Sequence, residues 1–204
     1  MELRAENISY HYPGSDRKIL DHISLCLRDG ERAGLMAESG FGKTTLCRIL
    51  SGYEKPDSGE VFLDGRPLSS YRGALPVQMI FQHPELSADP RKRLKKVLME
   101  GDWGKEGIPE EILTGLGIRQ EWMDRFPIEV SGGELQRFCI ARALGRSTRI
   151  LIADEITTML DLITQKQIWE FLLKETSKRG ISMLVVSHEE KLLEKVCDRI
   201  IKLA

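Results

Sequence analysis

A lysine and a threonine stand at the start of a predicted helix, directly after a loop rich in small residues. The loop is residues 37–42, and Lys43 and Thr44 follow it. Residues 31–36 before the loop are predicted to form a short strand, and residues 46–50 after it are apolar at helical spacing. Such a loop exposes backbone N–H groups, and the N-terminal end of the helix adds positive potential. The pattern predicts a polyphosphate site, with Lys43 reaching the β- and γ-phosphates and the Thr44 hydroxyl binding Mg²⁺.

The residues predicted to bind nucleotide form the loop and the first turn of the helix: Ala37, Glu38, Ser39, Gly40, Phe41, Gly42, Lys43, Thr44 and Thr45. Their spacing fits the phosphate-loop pattern G-x-x-x-x-G-K-[ST] except at its first glycine, which is alanine here. The added methyl group at the strand exit narrows the allowed backbone angles, so we expect a lower affinity for nucleotide. A loop that only resembles this motif is the alternative, and the rest of the chain argues against it.

Two neighbouring carboxylates follow a short apolar segment. Residues 150–153 are predicted to form a buried strand, and Asp154 and Glu155 come at its carboxyl end. Sites on open α/β sheets collect at this edge, so we expect both residues beside the phosphate loop. Adjacent carboxylates repel each other unless a cation offsets their charge, and Mg²⁺–nucleotide supplies one. Asp154 therefore suits the Mg²⁺ shell, and Glu155 suits the deprotonation of an attacking water.

Two other polar residues follow predicted strands. Gln82 comes directly after residues 77–81, and His188 lies at the end of the strand predicted over residues 183–187. A lone histidine at a strand end is usually structural. Here it lies at the sheet edge that collects the other candidates.

A second helix start also suits a phosphate. Ser131 and Glu134 have the spacing of a capping box, and Gly132 and Gly133 stand between them. A plain capping box does not need two glycines, which let a ligand come close to the backbone. Tyr12, beside a turn, is an aromatic that could stack on a purine, although packing is the commoner role of such a residue.

The elements that position these residues indicate a single α/β domain. Residues 2–10 and 23–29 alternate apolar and polar positions and are predicted to be antiparallel strands. Residues 88–131 carry only helical signals, with one helix expected at residues 91–98, a second that starts at residues 109–113 and a third at residues 120–126. We therefore predict one domain over residues 1–204, with an α/β nucleotide-binding core of residues 1–87 and 132–204 and a helical insertion at residues 88–131.

Bulk composition limits the classes of partner. The chain has 204 residues, 41% of them hydrophobic and 30% charged, with a formal net charge of −1. This balance gives no global attraction to nucleic acid or to anionic membranes, and the basic run at residues 91–96 is interpreted as a solvated helix face. No signal peptide or membrane span is predicted, and four widely spaced cysteines are expected to be free thiols, so we expect a cytosolic protein.

Together these segments resemble the ATP-binding cassette (ABC) ATPases over essentially the whole chain. The most specific segment is residues 130–137, which is similar to the LSGGQxQR signature with Val130 for Leu and Glu134 for Gln. It comes shortly before a strand with the Walker B pattern, and the phosphate loop lies upstream. The resemblance implies a P-loop NTPase (RecA-like) core with an antiparallel β subdomain and an inserted α-helical subdomain.

The resemblance also implies roles for residues that act on nucleotide bound by the same chain. Tyr12 matches the aromatic residue that stacks on adenine, and His188 matches the switch histidine on the γ-phosphate. Gln82 matches the Q-loop glutamine, which touches Mg²⁺ and the attacking water and senses the transmembrane partner. Asp154 and Glu155 match the Walker B aspartate and the catalytic glutamate.

Other matched residues act across a pair of ATPase subunits in this family. Ser131 and Gly133 of the signature, which also includes Gly132 and Glu134, are expected to contact the γ-phosphate of ATP held by the opposite subunit. Asp161 matches the D-loop aspartate. The implied partners are a second ABC ATPase subunit, identical or homologous, two transmembrane permease subunits and a solute-binding protein. Nucleic acid is not an expected partner.

The subfamily is indicated by two further segments. Residues 81–91 are similar to the FQDPxxSLNPR stretch, and residues 124–130 to the DRYPHEL run, of oligopeptide and nickel importer ATPases. The resemblance implies hydrolysis of ATP with Mg²⁺ to power import of a peptide, nickel or a metal chelate, at the inner face of the cell membrane. A non-transport ABC ATPase that acts as a soluble clamp or regulator is the alternative, and neighbouring permease genes would distinguish the two.

Overall fold

The computed structural model describes residues 1–15, 17–38 and 40–203. These residues form nine strands, which are β1 Leu3–His11, β2 Lys18–Leu27, β3 Arg32–Met36, β4 Ser58–Leu63, β5 Arg66–Pro67, β6 Val77–Ile80, β7 Ile150–Asp154, β8 Ser182–Val186 and β9 Arg199–Lys202. They also form six α-helices, which are α1 Lys43–Leu50, α2 Leu94–Leu98, α3 Glu110–Gly115, α4 Gly132–Ala143, α5 Leu162–Arg179 and α6 Glu190–Val196. None of these helices is long and apolar enough to cross a lipid bilayer.

A five-stranded parallel sheet forms the centre of the molecule. Its strand order is β6-β7-β8-β3-β9, and every residue of β7 and β8 is buried. Val186, the last residue of β8, pairs with Asp154 of β7 on one side and with Leu35 of β3 on the other. The carboxyl ends of the central strands therefore meet at one edge, as the sequence pattern predicts.

The two faces of this sheet lie in two different apolar clusters. Ile150 and Ile152 of β7 face α1 and the antiparallel sheet β2-β1-β4-β5, whereas Leu151 and Ala153 face the cluster that contains α4 and α5. Successive side chains of a strand point to opposite faces, so a continuous apolar run is expected when both faces are covered. This explains why β7 contains no polar residue before Asp154.

Strand β2 begins at Lys18, five residues before the predicted start at residue 23. Its pairing with β1 is antiparallel, as predicted, but the register shifts between Ile8 and Tyr10, and His22 has a φ of 52°. Irregular pairing of this kind interrupts the alternation of apolar and polar residues. The period-two pattern therefore reveals only the regular half of the strand.

The segment between β6 and α4 is helical, but two of its three helices differ from the prediction. The helix in the basic run begins only at Leu94, because the N–H groups of Leu94 and Lys95 donate to Arg125 O and Met123 O. Residues 120–126 do not form the predicted α-helix; they contain a 3₁₀ turn at 120–122 and lead into another at 127–129. Pro127 disfavours a helical conformation at the residue before it, which limits the length of this segment. The division into a core and an inserted subdomain stays a prediction.

Candidate nucleotide-binding site

The loop after β3 has the conformation that its glycines allow. Gly42 precedes α1 with a φ of 92°, and Gly40 has a φ of 81°. A Cβ atom at Gly42 would lie 2.5 Å from Ile19 Cγ2, so this position excludes a side chain for steric reasons as well. Ser39, which the sequence places among the nucleotide-binding residues, lies outside the described residues.

Lys43 folds back over the loop. Its Nζ donates to Ala37 O at 2.8 Å and to Glu38 O at 3.1 Å. An ammonium group on two carbonyl oxygens has its charge only partly compensated, because carbonyls carry partial charges. The loop therefore presents a cation that can exchange carbonyl contacts for phosphate oxygens. The lower affinity expected from Ala37 stays a prediction.

Asp154 is a buried carboxylate beside this loop. Its side chain is 1% exposed, and Oδ2 has no hydrogen-bond partner within residues 1–15, 17–38 and 40–203. Burial raises the pKa of Asp154, Glu155 adds to the increase, and the Thr44 hydroxyl and Lys43 oppose it. A buried carboxylate oxygen without a donor, next to a threonine hydroxyl, fits the hard oxygen ligands that Mg²⁺ requires.

Glu155 lies where the carboxyl ends of β6, β7 and β8 come together. Gln82 Nε2 donates to Glu155 Oε2 at 3.0 Å, and His188 Nδ1 lies 3.7 Å from Glu155 Oε1. The Glu155 backbone is in the left-handed region, with a φ of 49°, and its N–H donates to Val186 O at 3.0 Å. Non-glycine residues are held in this region only where the surroundings fix them, often at functional sites. The structure thus brings together three residues that the sequence predicts for catalysis.

Tyr12 contacts the first turn of α1. Its hydroxyl lies 2.7 Å from Thr45 Oγ1, and its ring packs edge-to-face on Tyr10 with 5.3 Å between centroids. Tyr12 remains 39% exposed. An exposed aromatic face next to the phosphate loop is compatible with stacking on a purine.

The second predicted helix start forms the expected capping box but lies apart from the phosphate loop. Glu134 N donates to Ser131 Oγ at 3.2 Å, and Ser131 N donates to Glu134 Oε2 at 2.7 Å. Ser131 and Gly132 are exposed, and in the part of the chain that the structure describes no hydrogen bond joins residues 131–134 to the loop or to α1. Asp161 caps α5 by accepting from the N–H groups of Ile163 and Thr164, each at 3.0 Å.

Two residues near this site lie in segments that match the family, the D-loop and the signature, but neither was assigned a role of its own from the sequence. Thr158 Oγ1 donates to Glu155 O at 3.1 Å and so supports the loop that holds Glu155. Gln136 is buried in α4, and its Nε2 donates to Phe81 O at 3.1 Å, next to Gln82. A polar side chain on the apolar face of a helix is the signal that could have identified Gln136.

The parallel sheet, the phosphate loop and the carboxylates at the strand ends are together those of a P-loop ATPase. A family model described as "ABC transporter" matches residues 20–158 of this chain. The chain belongs to the ABC transporter family.

Curated relatives extend the similarity over most of the chain. The nickel import ATP-binding protein NikE of Rhodospirillum rubrum is 36% identical over 203 residues, which cover 92% of this chain and 73% of that protein. NikE of Escherichia coli K12 is 32% identical over 219 residues, which cover 97% of this chain and 82% of that protein.

Solved structures share the fold. The ATP-binding cassette MJ0796, in a dimer bound to ADP and Pi, superposes with a TM-score of 0.83 at 25% identity and covers 98% of this chain and 94% of its own. A second dimeric structure of MJ0796, described as a bacterial ABC transporter cassette, also has a TM-score of 0.83, at 26% identity. The chain is therefore an ATP-binding and ATP-hydrolysing subunit of the ABC transporter type, and these relatives give no support to a soluble clamp.

Proposed function

We propose that this chain powers solute import, with nickel, a metal chelate or a small peptide as cargo. The support for import is the similarity to nickel import ATP-binding proteins over most of both chains. Within that proposal, the site assignment rests on the contacts of the Glu155 carboxylate. It accepts a hydrogen bond from Gln82 and lies near His188, at the sheet edge where the phosphate loop begins.

The side chains then have distinct roles in hydrolysis. Lys43 releases the carbonyl oxygens of Ala37 and Glu38 and binds the β- and γ-phosphates. Glu155 accepts the proton of the attacking water. Gln82 orients Glu155 and that water, and His188 contacts the γ-phosphate. Thr44, Gln82 and Asp154 would hold Mg²⁺, which supplies charge neutralisation on the phosphate oxygens. Most of the rate gain in such a reaction comes from positioning and from electrostatic stabilisation.

The complete site needs a second ATPase subunit. Ser131 and Gly133 lie at a helix N-terminus that makes no hydrogen bond to the described residues of its own phosphate loop, so we infer that they contact nucleotide held by the partner. The solved dimers of MJ0796 are compatible with this arrangement. Asp161, at the start of α5, is proposed to lie at the same interface. Closure of the pair would exclude water, and hydrolysis would reopen it.

Permease subunits are proposed to dock at a groove beside Gln82. The groove has a volume of about 500 Å³ and contains Tyr53, Phe81 and Leu86, of which Leu86 is 73% exposed. Exposed apolar side chains around a concave surface are typical of protein docking sites. Contact with two permeases would place the chain at the inner face of the cell membrane, with a solute-binding protein on the opposite side. Co-purification with permeases from detergent-solubilised membranes tests this part.

The catalytic assignment is tested with Glu155→Gln. This change keeps the shape of the side chain and removes the base, so we expect ATP binding to be retained and turnover to fall by about 100-fold or more. The variant should also accumulate as a closed, ATP-bound dimer, which size-exclusion chromatography detects. Glu170→Gln, on the exposed face of α5, is the control and should hydrolyse ATP like the parent. If Glu155→Gln keeps the parent rate, Glu155 is not the base.

A further inference from the structure

We propose that Gln136 is a positioning residue that holds Gln82 against Glu155 through the backbone of Phe81. Gln136 lies in the second turn of α4 and is 3% exposed. Its Nε2 donates to Phe81 O at 3.1 Å, and the next residue, Gln82, donates to Glu155 Oε2 at 3.0 Å. This inference rests on the catalytic roles proposed above for Gln82 and Glu155.

Stability of the fold does not account for a glutamine at this position. Its neighbours Leu135, Phe138 and Cys139 in α4 are buried apolar residues, and Gln136 Oε1 is buried with no hydrogen-bond partner among the described residues. A buried acceptor without a donor lowers the stability of the fold, whereas an apolar side chain of the same shape avoids that cost. We therefore attribute the side-chain amide of Gln136 to its donor group, which bonds to the backbone carbonyl of Phe81, the residue before Gln82.

The same helix also contacts the segment that follows Glu155. A Cβ atom at Gly133 would lie 2.7 Å from Leu160 Cδ2, so α4 packs directly on residues 156–160. Gln136 lines a small cavity together with Gln82, Ile156 and Leu160. Helix α4 thus contacts both chain segments that carry the Gln82–Glu155 pair. Its hydrogen bond to Phe81 O sets the position of Gln82 relative to the carboxylate.

The test is Gln136→Met, which removes the donor and the unpaired acceptor while keeping a similar volume. We expect kcat for ATP to fall by about 10- to 100-fold, because small displacements of catalytic groups have effects of this size. KM for ATP should stay within about twofold of the parent value, because the phosphate loop is unchanged. The melting temperature should change little, because removal of the unpaired oxygen offsets the loss of the donor to Phe81 O. A purely structural role predicts the opposite, a lower melting temperature with an unchanged kcat.

Gln78→Met is the matched control. Gln78 also donates from Nε2 to a backbone carbonyl, Leu75 O at 2.7 Å, but it lies in β6 away from Glu155. It should leave both kinetic constants unchanged. A parent-like kcat in Gln136→Met, or an equal loss in both variants, would overturn the proposal.

A double-mutant cycle with Gln82→Ala tests the route of the effect. If Gln136 acts only through Gln82, Gln136→Met should lower kcat by less than about twofold in the Gln82→Ala background, as expected for residues that act as a unit. Independent, multiplicative losses would show that Gln136 acts elsewhere and would contradict the proposal. Failure of the parent itself to hydrolyse ATP would instead overturn the proposed function.

Discussion

Asp154 shows how burial prepares a carboxylate for a cation. The side chain is withdrawn from water, one of its oxygens has no donor among the described residues, and burial raises its pKa. Such a group destabilises the nucleotide-free fold at neutral pH, because its charged form loses hydration without full compensation. A ligand with positive charge would offset this cost, which supports the proposed role of Asp154 in holding Mg²⁺.

Asp154→Asn should therefore stabilise the nucleotide-free protein and weaken the dependence of nucleotide binding on Mg²⁺. A gain on the order of 1 kcal/mol is expected, which corresponds to a rise of about 2–4 °C in melting temperature for a chain of this size. Thermal unfolding without nucleotide, and nucleotide titrations with and without Mg²⁺, measure the two effects.

The stabilisation should also depend on pH. Because the folded-state pKa of Asp154 is raised, the neutral form is favoured by folding, and parent stability is lost as pH rises through that folded pKa. The difference in melting temperature between Asp154→Asn and the parent should accordingly shrink as the pH falls. A difference that grows toward acid pH would contradict the assigned burial of charge.

Helix α4 makes one set of local contacts and one long-range contact. Its capping box pairs Ser131 and Glu134, which satisfies backbone N–H groups at the helix start. Its interior side chain Gln136 reaches Phe81, 55 residues earlier in the chain. The first contact follows from spacing in the sequence, whereas the second needs α4 to pack beside the end of β6.

Ser131→Ala should destabilise the fold, because it removes the side-chain acceptor of the cap. The expected cost is about 1 kcal/mol, or a decrease of about 2–4 °C in melting temperature. Ser131→Asp restores an acceptor and should recover most of the lost stability. Ser177→Ala, at an exposed position inside α5, is the control and should be neutral or slightly stabilising. Equal melting temperatures for the parent and Ser131→Ala would refute the role of the cap.

In the whole molecule, the two predicted phosphate-binding segments lie in different places, and we propose that each contributes half of a different site. The phosphate loop lies at the carboxyl edge of the parallel sheet, whereas Ser131 and Gly132 are exposed at the start of α4. In the proposed head-to-tail pair, the loop of each chain would meet the helix start of the other. Two equivalent composite sites would then form by symmetry.

Mixing two inactive variants should restore ATP hydrolysis. Lys43→Ala disables the loop, and Gly132→Arg blocks the helix start at a position where a Cβ atom has room, 3.9 Å from Met159 Sδ. In an equal mixture half of the dimers contain both variants, and each of these has one intact site, so about a quarter of the parent activity is expected. Phosphate release at high protein concentration measures the recovery.

The control for this experiment is a chain that carries both changes. Mixed with Lys43→Ala, it leaves every phosphate loop disabled, so no activity should return. An absence of recovery in the first mixture, although both variants fold and associate, would show that the two halves do not meet.

The sequence by itself determined the features that depend on residues a few positions apart. These are the glycine loop before Lys43, the capping box at Ser131, and the apolar runs that end in Asp154 and His188. Hydrogen bonds within a turn and the periodicity of one strand or helix are set locally, so the pattern of residue types reveals them.

Only the tertiary structure decided which distant residues meet. Gln82 and Glu155 are 73 residues apart, and their hydrogen bond exists because β6 pairs with β7 in one particular register. The early start of β2, the short turns at residues 120–129 and the contact of Gln136 with Phe81 O have the same origin. Strand order, register and helix packing result from burial of apolar surface across the whole chain, and no local pattern contains that information.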